Sequence, residues 1–290
     1  MQMTRGPDVL ATWLRAAHEE GRIDVDDPEG FLAATSDIGI GPGERLRRLA
    51  TFLDDENAVE AEPDFARWSV FARLYDAAER HAPHPGRVLE SRAITALQCF
   101  ERTAEHDQDR ALLWTEAHEA STRATECAPR SADAAYVRGA TLYANSRDRL
   151  DEALTWFDRA LELDETHAWA RLYRAHALHD LQRWVDAAEA YADADEPMLG
   201  GPPPWRLELL REQRAYCLLR AGRIDESRIA FEDVLSRRER ALDRGEQPMD
   251  SHVLFTVPAL LAAAARGPLR AALHDRVQRL LEREAWGVTL

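Results

Sequence analysis

The chain has 290 residues, of which 45% are hydrophobic and 31% are charged, and its formal net charge is −15. The acidic balance argues against binding to nucleic acid phosphates or to anionic membranes. No apolar run approaches the roughly 18 residues of a membrane span, and the N-terminus lacks the apolar stretch of a signal peptide, so the sequence predicts a soluble, cytoplasmic protein.

Lysine is absent, so all 37 residues counted as lysine or arginine are arginine. Asparagine occurs only at Asn57 and Asn145, which is what a GC-rich genome would give. Selection against lysine modification is the alternative explanation. In either case, any recognition of an anion must use arginine, histidine or a helix N-terminus.

The N-terminal region, residues 1–60, predicts helices without a clear repeat. The first begins near Pro7, a residue that favours the first turn of a helix, and ends at about Glu20 before Gly21. Two further helices are predicted from Pro28 to about Thr35 and from Glu44 to Asp54. We expect this region to form degenerate repeats or a cap, because the end units of repeat proteins are usually atypical.

An amphipathic helix is predicted from Asp64 to His81, where large apolar residues recur at helical spacing. The segments Arg87–Thr103 and Arg110–Cys127 then predict a first helical hairpin. No segment shows the alternating pattern of a half-buried strand. The fold class predicted is therefore all-α.

A pattern of small, aromatic and small residues recurs along the next part of the chain. Its spacing places the three residues of each copy on one helical face. The three full copies are Ala153-x3-Phe157-x2-Ala160, Ala187-x3-Tyr191-x2-Ala194 and Ser227-x3-Phe231-x2-Val234, and a weaker one is Ala117-x3-Ser121-x2-Ala124. The first residues of the copies are 36, 34 and 40 positions apart, which indicates stacked helical hairpins.

A second small residue precedes each full copy: Gly139, Ala175 and Ala215 lie 14, 12 and 12 residues upstream. This arrangement resembles the tetratricopeptide repeat (TPR). The resemblance implies a TPR-like α-solenoid, a right-handed superhelix of antiparallel helix pairs. It divides the chain into the N-terminal region 1–60, a repeat array at 61–246 and a C-terminal hairpin cap at 247–290.

The resemblance also implies a concave groove lined by the first helix of each repeat. The residues that it places there or nearby are Tyr136, Tyr143, Trp169, Leu172, His176, His179, Glu212, Tyr216 and Arg220. Such a surface suits an extended or helical peptide held by stacking and hydrogen bonds. The alternative is that the tyrosines pack between repeats.

His176 and His179, with Asp180, have a spacing that could hold a metal, and His167 is not far in sequence. A zinc site would need a third and a fourth ligand, so exposed groove histidines are the better interpretation. The three cysteines, Cys99, Cys127 and Cys217, are predicted in helices without paired spacing, as free thiols. The sequence therefore predicts no metal and no cofactor. If protonated histidines donate to an acidic partner, binding should strengthen as the pH falls.

No catalytic constellation is recognisable in the sequence. The interpretation that follows is a non-catalytic scaffold or adaptor that binds a protein or peptide in the groove of the repeat array. The alternative is an accessory or regulatory subunit of an enzyme complex, or a helical-repeat enzyme, whose N-terminal region contacts the catalytic partner or supplies the chemistry.

Overall fold

The computed structural model describes residues 8–55, 64–104, 107–145, 147–194, 204–244 and 276. Throughout these ranges the regular elements are helical, which confirms the predicted all-α class. The chain divides into two compact units, an N-terminal unit, Met1–Leu163, and a C-terminal unit, Asp164–Leu290. The boundaries at residues 60 and 246 stay predictions, and apart from Arg276 the predicted cap at 247–290 lies outside the described residues.

The N-terminal unit holds the first eight α-helices and a short 3-10 turn at Arg147–Arg149. The α-helices are α1 (Val9–Glu19), α2 (Pro28–Ala34), α3 (Pro42–Asp55), α4 (Asp64–His81), α5 (Gly86–Arg102), α6 (Asp109–Cys127), α7 (Ala132–Asn145) and α8 (Leu150–Leu163). Most of these bounds fall within two residues of those predicted from the sequence. The closest agreement is at α4, where the amphipathic pattern and the flanking breaks define both ends.

Local chemistry fixes the ends of the first two helices. Asp8 caps α1, because its side chain accepts a hydrogen bond from the Ala11 amide at 3.1 Å. Asp27 caps α2 in the same way through the Gly30 amide at 2.9 Å. Gly21 has a φ of 64°, a left-handed conformation that favours glycine, and it ends α1. Caps of this kind depend on neighbouring residues and can be read from sequence.

The helices α7 and α8 form a hairpin that needs a glycine at the contact. A Cβ atom at Gly139 would lie 2.6 Å from Cε1 of Phe157 and 3.2 Å from the Ala153 carbonyl oxygen. Phe157 and Ala153 are completely buried. The small residue upstream and the aromatic residue downstream therefore meet face to face, as the repeat pattern predicts.

The C-terminal unit contains the other described hairpins. Its helices are α9 (Ala168–Asp180), α10 (Trp184–Asp193), α11 (Pro204–Arg220) and α12 (Ile224–Asp243). In the second hairpin the small residues again meet, because the Ser227 hydroxyl donates to the Ala215 carbonyl at 2.8 Å. The helix α10 packs against both α9 and α11.

The turns of these two hairpins are built alike. Gln182 and Gly222 both have a positive φ, of 58° and 78°. The amide of Arg183 donates to the Leu178 carbonyl at 2.9 Å, and the amide of Arg223, 40 residues later, donates to Leu218 at 2.9 Å. This is the bonding of a helix that ends in a left-handed residue. Structural units of the same kind therefore repeat along the chain, which confirms the TPR-like helical repeats.

Candidate functional site

The side chains of several aromatic residues, two histidines and one arginine lie close together on α9, α10 and α11 of the C-terminal unit. Four of the residues lie on α9, at spacings of four, three and three, which place them along one helical face. The first residue of α10 and the last two turns of α11 complete the group. We call it the aromatic surface, and its members are Trp169, Tyr173, His176, His179, Trp184, Tyr216 and Arg220.

Tyr191, from α10, supports this surface from beneath. Only 4% of Tyr191 is exposed, and its hydroxyl lies 2.7 Å from Nδ1 of His176. The same hydroxyl lies 3.4 Å from Nδ1 of His179. A tyrosine hydroxyl can donate one proton and can also accept, so the tautomer of His176 decides which group donates in the shorter contact. The hydrogen bond joins α9 to α10 and fixes the orientation of His176.

His179 forms the centre of the ring contacts. Its ring stacks on Tyr216 with centroids 5.4 Å apart and an interplanar angle of 19°, and it meets Trp184 edge-on at 5.5 Å. Burial lowers the pKa of His179, since the charged imidazolium loses its hydration. The nearby Arg220 guanidinium lowers the pKa further, although Asp180 opposes this. Proton uptake at His179 is therefore shifted to a lower pH than for a free imidazole, which reduces its value as a pH handle for binding.

Arg220 places a positive charge on the outside of the surface. Its Cζ atom lies 4.4 Å from the Trp184 ring centroid, a distance at which a cation is attracted to the ring face. Its Nη1 donates to the Tyr216 hydroxyl at 2.6 Å. Trp184 and Tyr216 are half-buried and Arg220 is exposed. The surface thus offers flat apolar area beside hydrogen-bond donors, with each group held by its neighbours.

Cys217 lies beneath His179, with its Sγ 3.8 Å from Nδ1 of that residue. Burial raises the pKa of the Cys217 thiol to about 12. An activated nucleophilic cysteine has its pKa shifted in the opposite direction. The pair is consequently a packed thiol next to a neutral imidazole.

The residues predicted for the groove occupy different environments. Trp169 is 40% exposed, and His176, His179, Tyr216 and Arg220 join it on the aromatic surface. Leu172 and Glu212 are buried. Tyr136 and Tyr143 belong to the N-terminal unit, where both are half-buried on α7 and Tyr136 packs against a cluster of Ala93, Ala120 and Val137.

Two members of the surface, Tyr173 and Trp184, were absent from the predicted set. Tyr173 lies one helical turn from both Trp169 and His176, so the face of α9 that holds the predicted residues also contains it. Its ring centroid is 5.9 Å from that of His176. Trp184 begins α10 and joins the group through its contacts with His179 on α9 and Tyr216 on α11, which no spacing within one helix reveals.

Two classes of site can be checked in the described part of the chain. No group of three or more histidine, cysteine, aspartate or glutamate side chains comes together there in a way that could hold a metal ion. In the same residues, no helix is both long and apolar enough to span a membrane.

We expect the C-terminal unit to lose stability as the pH falls below the pKa of about 6.5 of a free imidazole. Folding lowers the pKa of His179, so the unfolded chain binds a proton more readily. The stability is therefore complete above that pH and declines as the pH falls towards the folded pKa. Urea denaturation between pH 7.5 and pH 5.5, chosen as about one unit on either side of that pKa, should show a smaller decline in His179→Gln than in the parent chain.

His84→Gln is the matched control, since His84 is an exposed residue between α4 and α5. It should leave the decline unchanged. An equal pH dependence in the His179 variant and the parent chain would contradict the role assigned to this residue.

Comparison with known proteins gives structural likeness alone. No family model matches the chain, and no curated protein matches it. Among solved structures, a thermophilic TPR protein from Thermus thermophilus is similar, at 20% identity and a TM-score of 0.47, covering 76% of this chain and 99% of its own. An assembly chaperone of RpL4, Acl4 (residues 1–338), is similar at 14% identity and a TM-score of 0.45, covering 97% and 100%.

Proposed function

We propose that this chain is a non-catalytic, cytoplasmic scaffold or adaptor that binds a protein or peptide through the aromatic surface of its C-terminal unit. The observation that supports it is the stack in which exposed Arg220 covers Trp184 and bonds to Tyr216. Tryptophan, tyrosine and arginine are the residue types that contribute most to binding energy at protein interfaces. Here all three are adjacent and reachable from solvent.

The surface is organised before any partner arrives. His179 stacks on Tyr216, and the buried Tyr191 holds His176 through a hydrogen bond. Side chains that are already fixed lose little conformational entropy on binding, so more of the contact energy appears as affinity. Trp169 and Tyr173 continue the surface along α9, with ring centroids 6.4 Å apart.

The chemistry of the surface favours a peptide over a small charged metabolite. Rings arranged along a helical face offer stacking area, while Arg220 and the imidazoles offer hydrogen bonds to backbone carbonyls. The thiol in contact with an imidazole here belongs to Cys217, and burial keeps it protonated by raising its pKa. The imidazole belongs to His179, and burial lowers its pKa. Neither has the activation that covalent catalysis requires.

Truncating Trp184 to alanine should weaken partner binding by about 30-fold, the equivalent of about 2 kcal/mol. The partner would be captured with the parent chain from the source organism, identified by mass spectrometry, purified and titrated calorimetrically. Val185→Ala is the matched control, because Val185 is the next residue on α10, 48% exposed and outside the ring contacts. It should change the affinity by less than about twofold.

Each variant must first show the circular dichroism spectrum and melting temperature of the parent chain. Tyr216→Ala and Arg220→Ala extend the measurement across the surface. If a folded Trp184→Ala binds as tightly as the parent chain, the partner uses another surface and the proposal fails.

A further inference from the structure

Two arginines occupy equivalent places in successive hairpins of the N-terminal unit. Arg92 on α5 and Arg138 on α7 immediately precede the small residues Ala93 and Gly139. Each guanidinium contacts a pair of side chains, three residues apart, on the helix that directly precedes its own in the chain. Because the two settings match, the identity of the partners can be compared directly.

Arg92 is neutralised by carboxylates. Its Nη1 donates to Asp76 at 2.6 Å and to Glu79 at 3.0 Å, both on α4, and its Nη2 donates to Glu116 on α6 at 3.0 Å. Burial alone would lower its pKa, but the hydrogen bonds to Asp76 and Glu116 raise the pKa of Arg92. The three carboxylates neutralise the guanidinium of Arg92 within the protein.

Arg138 has neutral groups where Arg92 has carboxylates. Its Nη1 lies 3.0 Å from Nδ1 of His118, 3.3 Å from the His118 carbonyl oxygen and 3.4 Å from Oγ of Ser121. His118 and Ser121 thus stand on α6 as Asp76 and Glu79 stand on α4. Arg138 is only 7% exposed, and removing a charge from water is costly unless a counter-charge accompanies it.

The carboxylate that corresponds to Glu116 is hydrogen-bonded to a different arginine. Glu152 on α8 corresponds to Glu116 on α6, because each lies one residue before the small residue of its repeat, Ala153 or Ala117. Glu152 accepts hydrogen bonds from Arg149, from Nε at 3.1 Å and from Nη2 at 2.9 Å. Glu152 is therefore bound by Arg149, and it acts on Arg138 only through its charge.

Burial and the surplus of positive charge lower the pKa values of Arg138 and His118. Burial lowers the pKa of Arg138, and Arg149 lowers it further, although Glu152 opposes this. Burial, Arg138 and Arg149 lower the pKa of His118. A neutral His118 whose Nδ1 accepts from Arg138 carries its proton on Nε2. The half-buried Trp114 ring lies 4.6 Å from the His118 ring and gives the site an apolar wall.

Two nitrogens of the Arg138 guanidinium, Nε and Nη2, are accessible to solvent. Within the described part of the chain, the hydrogen bonds of Arg138 are made by Nη1, and neither its Nε nor its Nη2 is a buried atom without a partner, as Nε of Arg45 is. Nε and Nη2 of Arg138 are therefore in contact with solvent. A planar carboxylate could accept from both at once.

We propose that Arg138, with His118 and Arg149 beside it, forms a carboxylate-binding site that receives an aspartate or glutamate side chain of a protein partner. The site lies on α6, α7 and the 3-10 turn before α8, all in the N-terminal unit. Its assignment to a protein side chain rests on the proposed function, whereas the anion site itself does not. With a net charge of −15, the chain repels acidic molecules in general, so recognition here has to be local.

The test is a titration of the full chain labelled with ¹⁵N-arginine and followed by the guanidinium resonances. Arg138→Gln and Arg92→Gln assign the two signals. Sodium acetate should move the Arg138 signal saturably, while sodium chloride at equal ionic strength should not, and Arg92 should stay in place under both. A blocked hexaglutamate peptide should compete with acetate, and a blocked hexaglutamine peptide should not.

His118→Asp supplies the carboxylate that Arg92 already has. In this variant the acetate affinity of Arg138 should fall by about tenfold or more, the range of one charged hydrogen bond. If His118→Asp does not fold, loss of the acetate response in Arg138→Gln, read at the His118 ring protons, replaces it.

Several results would overturn the inference: an immobile Arg138 signal, an equal movement of Arg92, or a His118→Asp chain that responds like the parent. A response to acetate with none to hexaglutamate would overturn the assignment to a protein side chain. Partner binding that Trp184→Ala weakens and Arg138→Gln leaves intact would defeat this inference and leave the proposed function standing. The reverse result would defeat the proposed surface alone.

Discussion

Replacing Tyr191 with alanine should destabilise the C-terminal unit by about 3–5 kcal/mol, the range for removing a buried aromatic side chain. Tyr191 is 4% exposed, and its ring centroid lies 5.5 Å from that of His176 and 6.2 Å from that of His179. Alanine would leave a cavity beneath the aromatic surface and remove the hydroxyl that bonds to His176.

Tyr191→Phe separates the ring from its hydroxyl. It should cost only about 1 kcal/mol, the net contribution of one hydrogen bond. Hydrogen exchange followed by mass spectrometry reports the two units from separate peptides, so the loss of protection should appear in peptides from α9, α10 and α11. Equal protection of those peptides in the alanine variant and the parent chain would mean that Tyr191 does not support the surface.

Replacing Phe157 with alanine should cost the N-terminal unit about 3–5 kcal/mol for the same reason. Phe157 is completely buried, and its ring fills the space beside Gly139. Urea denaturation, with protection of α7 and α8 followed by hydrogen exchange, measures the loss. A cost below about 1 kcal/mol would show that the hairpin collapses into the cavity without penalty.

The second residue of this contact provides a sharper test. Gly139→Ala alone should cost about 1–3 kcal/mol, because the new Cβ would lie 2.6 Å from the Phe157 ring. In the Phe157→Ala background the same change should cost at least about 1 kcal/mol less, since the contact with the ring is gone and alanine has the better helix propensity by about 1 kcal/mol, while the contact of 3.2 Å with the Ala153 carbonyl oxygen remains. A double-mutant cycle measures this reduction, and additive effects would contradict the contact.

Phe157 and Tyr191 occupy the same position in successive copies of the small–aromatic–small pattern, and both are buried. The prediction of that pattern and of the helices rests on local rules: apolar residues at helical spacing and helix breaks such as Gly21. These rules involve residues within a few positions of one another. For that reason the helices α1 to α12 and the hairpin pairing followed from the sequence.

The candidate site depended on a different kind of information. Spacing on α9 brought Trp169, His176 and His179 together, but nothing in it showed that Leu172 would be buried. Glu212 on α11 is likewise interior, although a carboxylate is usually exposed. Burial is set by which neighbouring helix covers a face, and that is a property of packing between segments distant in the chain.

Sequence therefore determined the elements of this protein, their pairing and the small and aromatic residues on which hairpins close, because each depends on short-range periodicity. Only the tertiary structure decided which rings share a surface and which charges lack a counter-charge. Trp184 joins Tyr216 across two helices, and Arg138 meets His118 where Arg92 meets Asp76. Those differences lie in side-chain partners on separate helices, so they emerge when the helices pack and fix distances that no local pattern encodes.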